Sequence, residues 1–178
     1  MKRLTYILAL LLVSVVTTAC INNLAVQELN NNAKIYMDKG DVDSAICRLK
    51  SSLELDSEVW ETHYNLGSAY LNIEKFDEAI AEYETTFKLN PSAEPCYALA
   101  VAYETYANSL EKQLQEDEKK VDEQFVQKIV PLLTQAVNNY SKYLELAEIN
   151  ENENNEIQTR LESLNALVES YQTNDVVE

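Results

Sequence analysis

"WETHYNLGSAYLNIEKFDEAIAEYETTFKLNP", residues 60–91, holds one of the chain's two glycines and one of its three prolines. Small or apolar residues return at three- and four-residue intervals in each half, as Leu66, Gly67 and Tyr70, then as Phe76, Ala79 and Tyr83. That spacing predicts two helices joined by a turn at Glu74 and Lys75. Gly67 and Ala79 suit a place where the helices cross, since a bulky side chain there would hold them apart. Pro91 ends this helix pair and starts the next.

Moving the stretch back by 34 residues lays it over 26–57, with Ala33, Tyr36, Ala45 and Leu55 standing where Gly67, Tyr70, Ala79 and Leu89 stand. Gly40 and Asp41 then supply the turn that Glu74 and Lys75 make. This period and pattern resemble the tetratricopeptide repeat, a helix–turn–helix unit that stacks into a right-handed solenoid. The first unit departs from the family pattern in having Ala33 for the glycine, Val42 for the second aromatic residue and Ser57 for the closing proline.

A third unit begins at Ala93 with a shift of 33, and its Leu99, Ala100 and Tyr103 follow Leu66, Gly67 and Tyr70. Its second helix comes late: the expected small residue and aromatic stand at Ala136 and Tyr140, so about 24 residues are inserted at roughly 104–127. The inserted "ANSLEKQLQEDEKKVDEQ" (107–124) is charged and lacks glycine and proline, which predicts helix extensions meeting in a polar turn near 117–122. The stripe Phe125, Ile129, Leu132, Leu133, Ala136, Val137 and Tyr140 argues for one kinked helix running through Pro131 rather than a start there. Residues 150–156, "NENENNE", read as a polar linker, and 157–172 as a capping helix with an apolar stripe from Ile157 to Tyr171, ahead of a tail at 173–178. The expected fold is all-α: an α-solenoid of three tetratricopeptide-like repeats (26–59, 60–92 and 93–149), an inserted helical hairpin and a C-terminal cap.

The composition agrees, because two glycines and three prolines in 178 residues leave little turn chemistry for a many-stranded β protein. A net charge of −16 opposes binding to nucleic acid or to anionic lipid headgroups. Residues 1–19 are a different polymer: Lys2 and Arg3, the apolar run 4–16, then Thr17, Thr18 and Ala19, the layout of a bacterial export signal. The run of 13 residues is short of the roughly 20 needed for a permanent membrane span. Cys20, directly after the small residues, resembles the lipidated cysteine of bacterial lipoproteins, with 20–25 as a tether, although Thr17 stands where that pattern usually has leucine. The same residues also fit an ordinary signal-peptidase site, which would leave Cys20 a plain thiol and the protein secreted or periplasmic. Removing 1–19 takes away two basic residues and no acidic one, so the mature charge becomes −18.

Catalytic chemistry has no residue to rest on. His63 is the sole histidine and sits in a slot where the repeat family often places a core aromatic, so it reads as packed. No Cys-x-x-Cys pair, phosphate-binding glycine loop or nucleophile elbow is present. "DKGDVD" (38–43) fails as a calcium loop, with Gly40 at the third position and Leu49 at the twelfth. No metal, cofactor or small-molecule substrate is expected, and Cys47 and Cys96 fall on helices too far apart to pair. The resemblance implies a peptide or protein partner on the concave face lined by the first helix of each unit. Helical phase puts Lys34 there, with Asn30, Met37 and Asp38; Tyr64, Asn65, Ser68 and Asn72; and Tyr97, Val101 and Glu104. An ordinary solvated face with incidental tyrosines fits the same residues. Relatives that clamp a C-terminal carboxylate use several basic residues on this face, and here only Lys34 is basic. The rival reading is a structural or enzyme-accessory subunit of an envelope complex whose folded partner packs on the inserted hairpin.

Overall fold

The computed structural model describes residues 23–117 and 121–174, and every regular element among them is a helix. In chain order these are α1 (23–38), α2 (Val42–Leu55), α3 (Trp60–Asn72), α4 (Phe76–Leu89), α5 (Ala93–Glu116), α6 (Glu123–Leu146) and α7 (Glu151–Asn174). From α2 onward each helix packs against the next, as in a solenoid of helical hairpins. Residues 1–22, on which the expected signal and Cys20 fall, lie outside the described residues, as do 118–120 and 175–178.

The 34-residue register is visible in the backbone. Gly40 (φ 76°) and Glu74 (φ 58°) occupy equivalent left-handed positions after α1 and α3. In both turns the following residue's N–H donates to a tyrosine carbonyl: Asp41 to Tyr36 and Lys75 to Tyr70, each at 2.9 Å. Such bonds satisfy carbonyls that a helix end would otherwise leave unpaired. Asp41 also caps α2, its carboxylate accepting from the Ser44 N–H at 3.1 Å, and the Ser44 side chain first, then this N–H, hold its pKa below the ordinary value. The α3–α4 crossing is as close as the small residues require. A Cβ added at Gly67 would lie 2.8 Å from the Tyr83 ring and 3.2 Å from the Ala79 carbonyl oxygen.

Two apolar clusters form the core. One joins Ala33, Leu49, Leu66, Tyr70, Tyr83 and Leu99; the other joins Ala107, Ile129, Leu133, Tyr140, Ile157 and Leu161. The helix α5 serves both, giving Ala98, Leu99 and Ala102 to the first and Ala100 and Ala107 to the second, and small side chains let it be buried on opposite faces. A partly buried polar knot ties α1 to α2 and α3, with the Asn30 amide donating to Ser52 (3.0 Å) and Thr62 (2.8 Å) and accepting from Asn65 (3.1 Å).

Several boundaries differ from the sequence reading. Residues 151–156 are not a linker but the first turns of α7, because the Asn150 side chain accepts from the Glu153 N–H (3.0 Å) and acidic residues favour the positive end of a helix. At the other end α7 continues through Thr173 and Asn174, beyond the expected cap at 157–172. Residues 23–25 are already helical, which shortens the expected tether. Leu55, matched to Leu89 by the repeat, is 42% exposed at the end of α2. The helix α6 runs through Pro131, which is exposed.

Candidate functional site

An open cleft of about 650 Å³ lies where the start of α5 meets the end of α6. Tyr64 of α3, Tyr97 of α5, Tyr143 and Leu146 of α6, and Ile149 of the following loop form its apolar lining. Glu94, Glu148 and Glu153 supply its carboxylates. Its aromatic residues are held from behind. Tyr64 packs on Tyr83 at 5.5 Å between ring centroids, and Tyr97 packs on Tyr140 at 5.8 Å and on Tyr143 at 5.2 Å. Burial first, then the nearby Glu94 carboxylate and Tyr97, push the Tyr64 pKa up. The Tyr143 hydroxyl donates to Glu153, and that bond leads the causes that push its pKa up to about 12.

Of the residues singled out on the concave face, Tyr64 and Tyr97 come together here. The others lie elsewhere. Lys34 and Asn72 are exposed, and Asn65 is turned to Asn30. Ser68 bonds the Tyr83 hydroxyl at 2.9 Å, and Val101 packs against the second core cluster. Asn30 is half-buried, bonded to Ser52 and Thr62, and lines a different cleft beside Val26 and Val59. Glu104 is taken by α7: Arg160 Nε donates to both its oxygens (3.1 and 2.8 Å), and the Tyr140 hydroxyl donates at 2.8 Å. Sequence reasoning missed Glu94, Tyr143, Leu146, Glu148 and Glu153. The available signal was the pair Leu146 and Ile149, which fall beyond the α6 core stripe with no partner in the repeat pattern.

His63 is a strut. Its Nδ1 lies 2.6 Å from a Glu82 carboxylate oxygen and its Nε2 lies 3.0 Å from the Ser57 carbonyl, tying α3 to α4 and to the preceding turn. Cys47 is exposed and Cys96 buried, both as free thiols. Among the described residues no group of three metal-ligating side chains forms, and no helix is long and apolar enough to cross a membrane.

Residues 60–93 match the family model for the tetratricopeptide repeat. A comparison with curated proteins finds no match. Among solved structures, the first tetratricopeptide domain of human RPAP3 is similar at a TM-score of 0.59 and 20% identity, covering 82% of this chain and 95% of that one. The first such domain of Spaghetti (RPAP3), bound to an HSP90 peptide, gives 0.55 at 19% identity, covering 82% and 94%. The Yersinia enterocolitica type III secretion chaperone SycD, in complex with a peptide of the translocator YopD, gives 0.54 at 16% identity, covering 82% and 93%. The 34-residue register, the helix crossing at Gly67 and these likenesses agree: the chain has the fold of tetratricopeptide-repeat domains, and residues 60–93 match the repeat itself.

Proposed function

We propose that the chain is a non-enzymatic interaction scaffold of a bacterial cell envelope, exported by residues 1–19, anchored by lipid on Cys20, and offering the tyrosine cleft to an extended segment of a protein partner. The observation that carries the binding half is exposure: Tyr97 (37%) and Leu146 (47%) are both open to solvent, and both line this one cleft. Apolar surface left exposed in one concavity marks a place where another molecule docks. Two solved proteins of the same fold hold peptides, which supports a peptide as the occupant. The inserted hairpin is the weaker surface, because Val121 (47%) is its one large apolar side chain left exposed among the described residues. Leu110, Leu114 and Phe125 are half-buried there.

Affinity capture from detergent-solubilised envelope tests the binding half. Tyr97→Ala is expected to weaken capture at unchanged helicity, since aromatic anchors commonly dominate interfaces. Loss of capture on deleting 117–122, with Tyr97→Ala behaving normally, would transfer the function to the hairpin. Mass spectrometry of the mature N-terminus tests the anchoring half. A diacylglyceryl-modified Cys20 is expected, and the lipid would bring a chain of charge −18 into the detergent phase. An unmodified Cys20 in the soluble fraction would contradict it.

A further inference from the structure

We infer that the cleft takes a cationic peptide segment, with a Lys or Arg side chain laid against the Tyr97 and Tyr143 rings between Glu94 and Glu148. The inference rests on the reading of the cleft as the peptide site and adds the chemistry of its occupant. Carboxylates line the cleft at Glu94, Glu148 and Glu153, and no Lys, Arg or His does. Glu94 and Glu148 form no ion pair among the described residues, whereas Glu153 is occupied by the Tyr143 hydroxyl.

Two cations of α6 and α7 are already placed. Arg160 is bound to Glu104, and Lys142 sits over the Phe87 ring at 3.9 Å. Helix ends meet here too: α6 ends at this cleft with no basic residue in its last turn, while the positive ends of α5 and α7 are answered by Glu94 and by Glu151 and Glu153. Tyrosine rings attract a cation to their faces, and Leu146 and Ile149 can cover the aliphatic stem of a Lys or Arg side chain. An acidic segment would meet repulsion from every side chain able to carry charge on the cleft wall.

The test uses the full chain in nonionic detergent and three labelled octapeptides, in which alanine alternates with lysine, glutamine or glutamate, followed by fluorescence anisotropy at low and moderate salt. The lysine peptide is expected to bind at least about fivefold more tightly than the glutamine peptide, and the glutamate peptide more weakly still. Because the whole chain is acidic, the deciding comparison is between variants of equal charge. Glu94→Gln with Glu148→Gln is expected to weaken the lysine peptide about fivefold, and Tyr97→Leu to weaken it further at unchanged helicity. Glu54→Gln with Glu169→Gln, two exposed carboxylates away from the cleft, is expected to leave it nearly unchanged. Equal loss in the two charge-matched pairs would overturn the inference, reducing the effect to general surface charge. Glutamine or glutamate peptide binding as tightly as lysine, and abolished by Tyr97→Leu, would also overturn it while leaving the cleft as the peptide site. No response of any peptide to the Tyr97 substitution would overturn both.

Discussion

Gly67 shows how little room separates the helices of the second repeat. A methyl group at this position already meets the Tyr83 ring at 2.8 Å and a backbone oxygen at 3.2 Å, so Gly67→Leu must part α3 from α4. Overpacking of this kind costs ~1–3 kcal/mol, and the thermal midpoint is expected to fall accordingly; an unchanged midpoint would show that the crossing tolerates bulk. Glu74 carries the opposite lesson. It holds the left-handed conformation that Gly40 holds one repeat earlier, and a side chain there is strained. Glu74→Gly is expected to stabilise by about 0.5–1 kcal/mol, the relief of strain outweighing the added freedom of the unfolded glycine. Calorimetry would register it as a rise of roughly 1–4 °C in Tm.

Among the helices, α7 behaves as the first helix of a further repeat. Its Arg160 and Tyr171 reach Glu104 and Glu111 of α5 in the same order along both chains, so the two helices run parallel. That arrangement covers one end of the second core cluster, to which α7 adds Ile157, Leu161 and Leu164. It also removes Glu104 from any binding face. Glu104 is mostly buried at 13% side-chain exposure, so Arg160→Leu leaves its carboxylate with the Tyr140 hydroxyl alone and is expected to cost ~1.5–3 kcal/mol. Adding Glu104→Gln should recover part of that loss in a double-mutant cycle read by chemical denaturation. Strict additivity of the two substitutions would mean that the pair does not couple α7 to α5.

Across the whole molecule, buried and half-buried tyrosines link stability to alkaline pH. Burial pushes Tyr83 up to about 12, and the bond to Glu153 together with burial takes Tyr143 to about 12, while Tyr140 and Tyr171 are raised further. An unfolded tyrosine ionises near pH 10. The contribution is therefore complete below about pH 10 and is lost as pH rises towards about 12, where only the unfolded chain has released the protons. Melting at about pH 11 is expected well below melting at about pH 8, with a smaller drop in Tyr83→Phe. The repeat, the inserted hairpin and the cap were legible in the sequence because period, small residues and aromatics act within one or two turns of a helix. The cleft was legible only through Tyr64 and Tyr97. Tyr143, Leu146 and Glu148 reach it because the hairpin and the α6–α7 loop fold back, a long-range event that leaves no periodic trace, whereas Glu94 stands one turn before Tyr97 on α5. Site-specific photocrosslinking in intact cells tests most directly whether this cleft is the docking surface, with a photoreactive residue placed at position 97 or, separately, at position 121. A discrete adduct from position 97 that position 121 does not give is the expected result; the reverse pattern would contradict it.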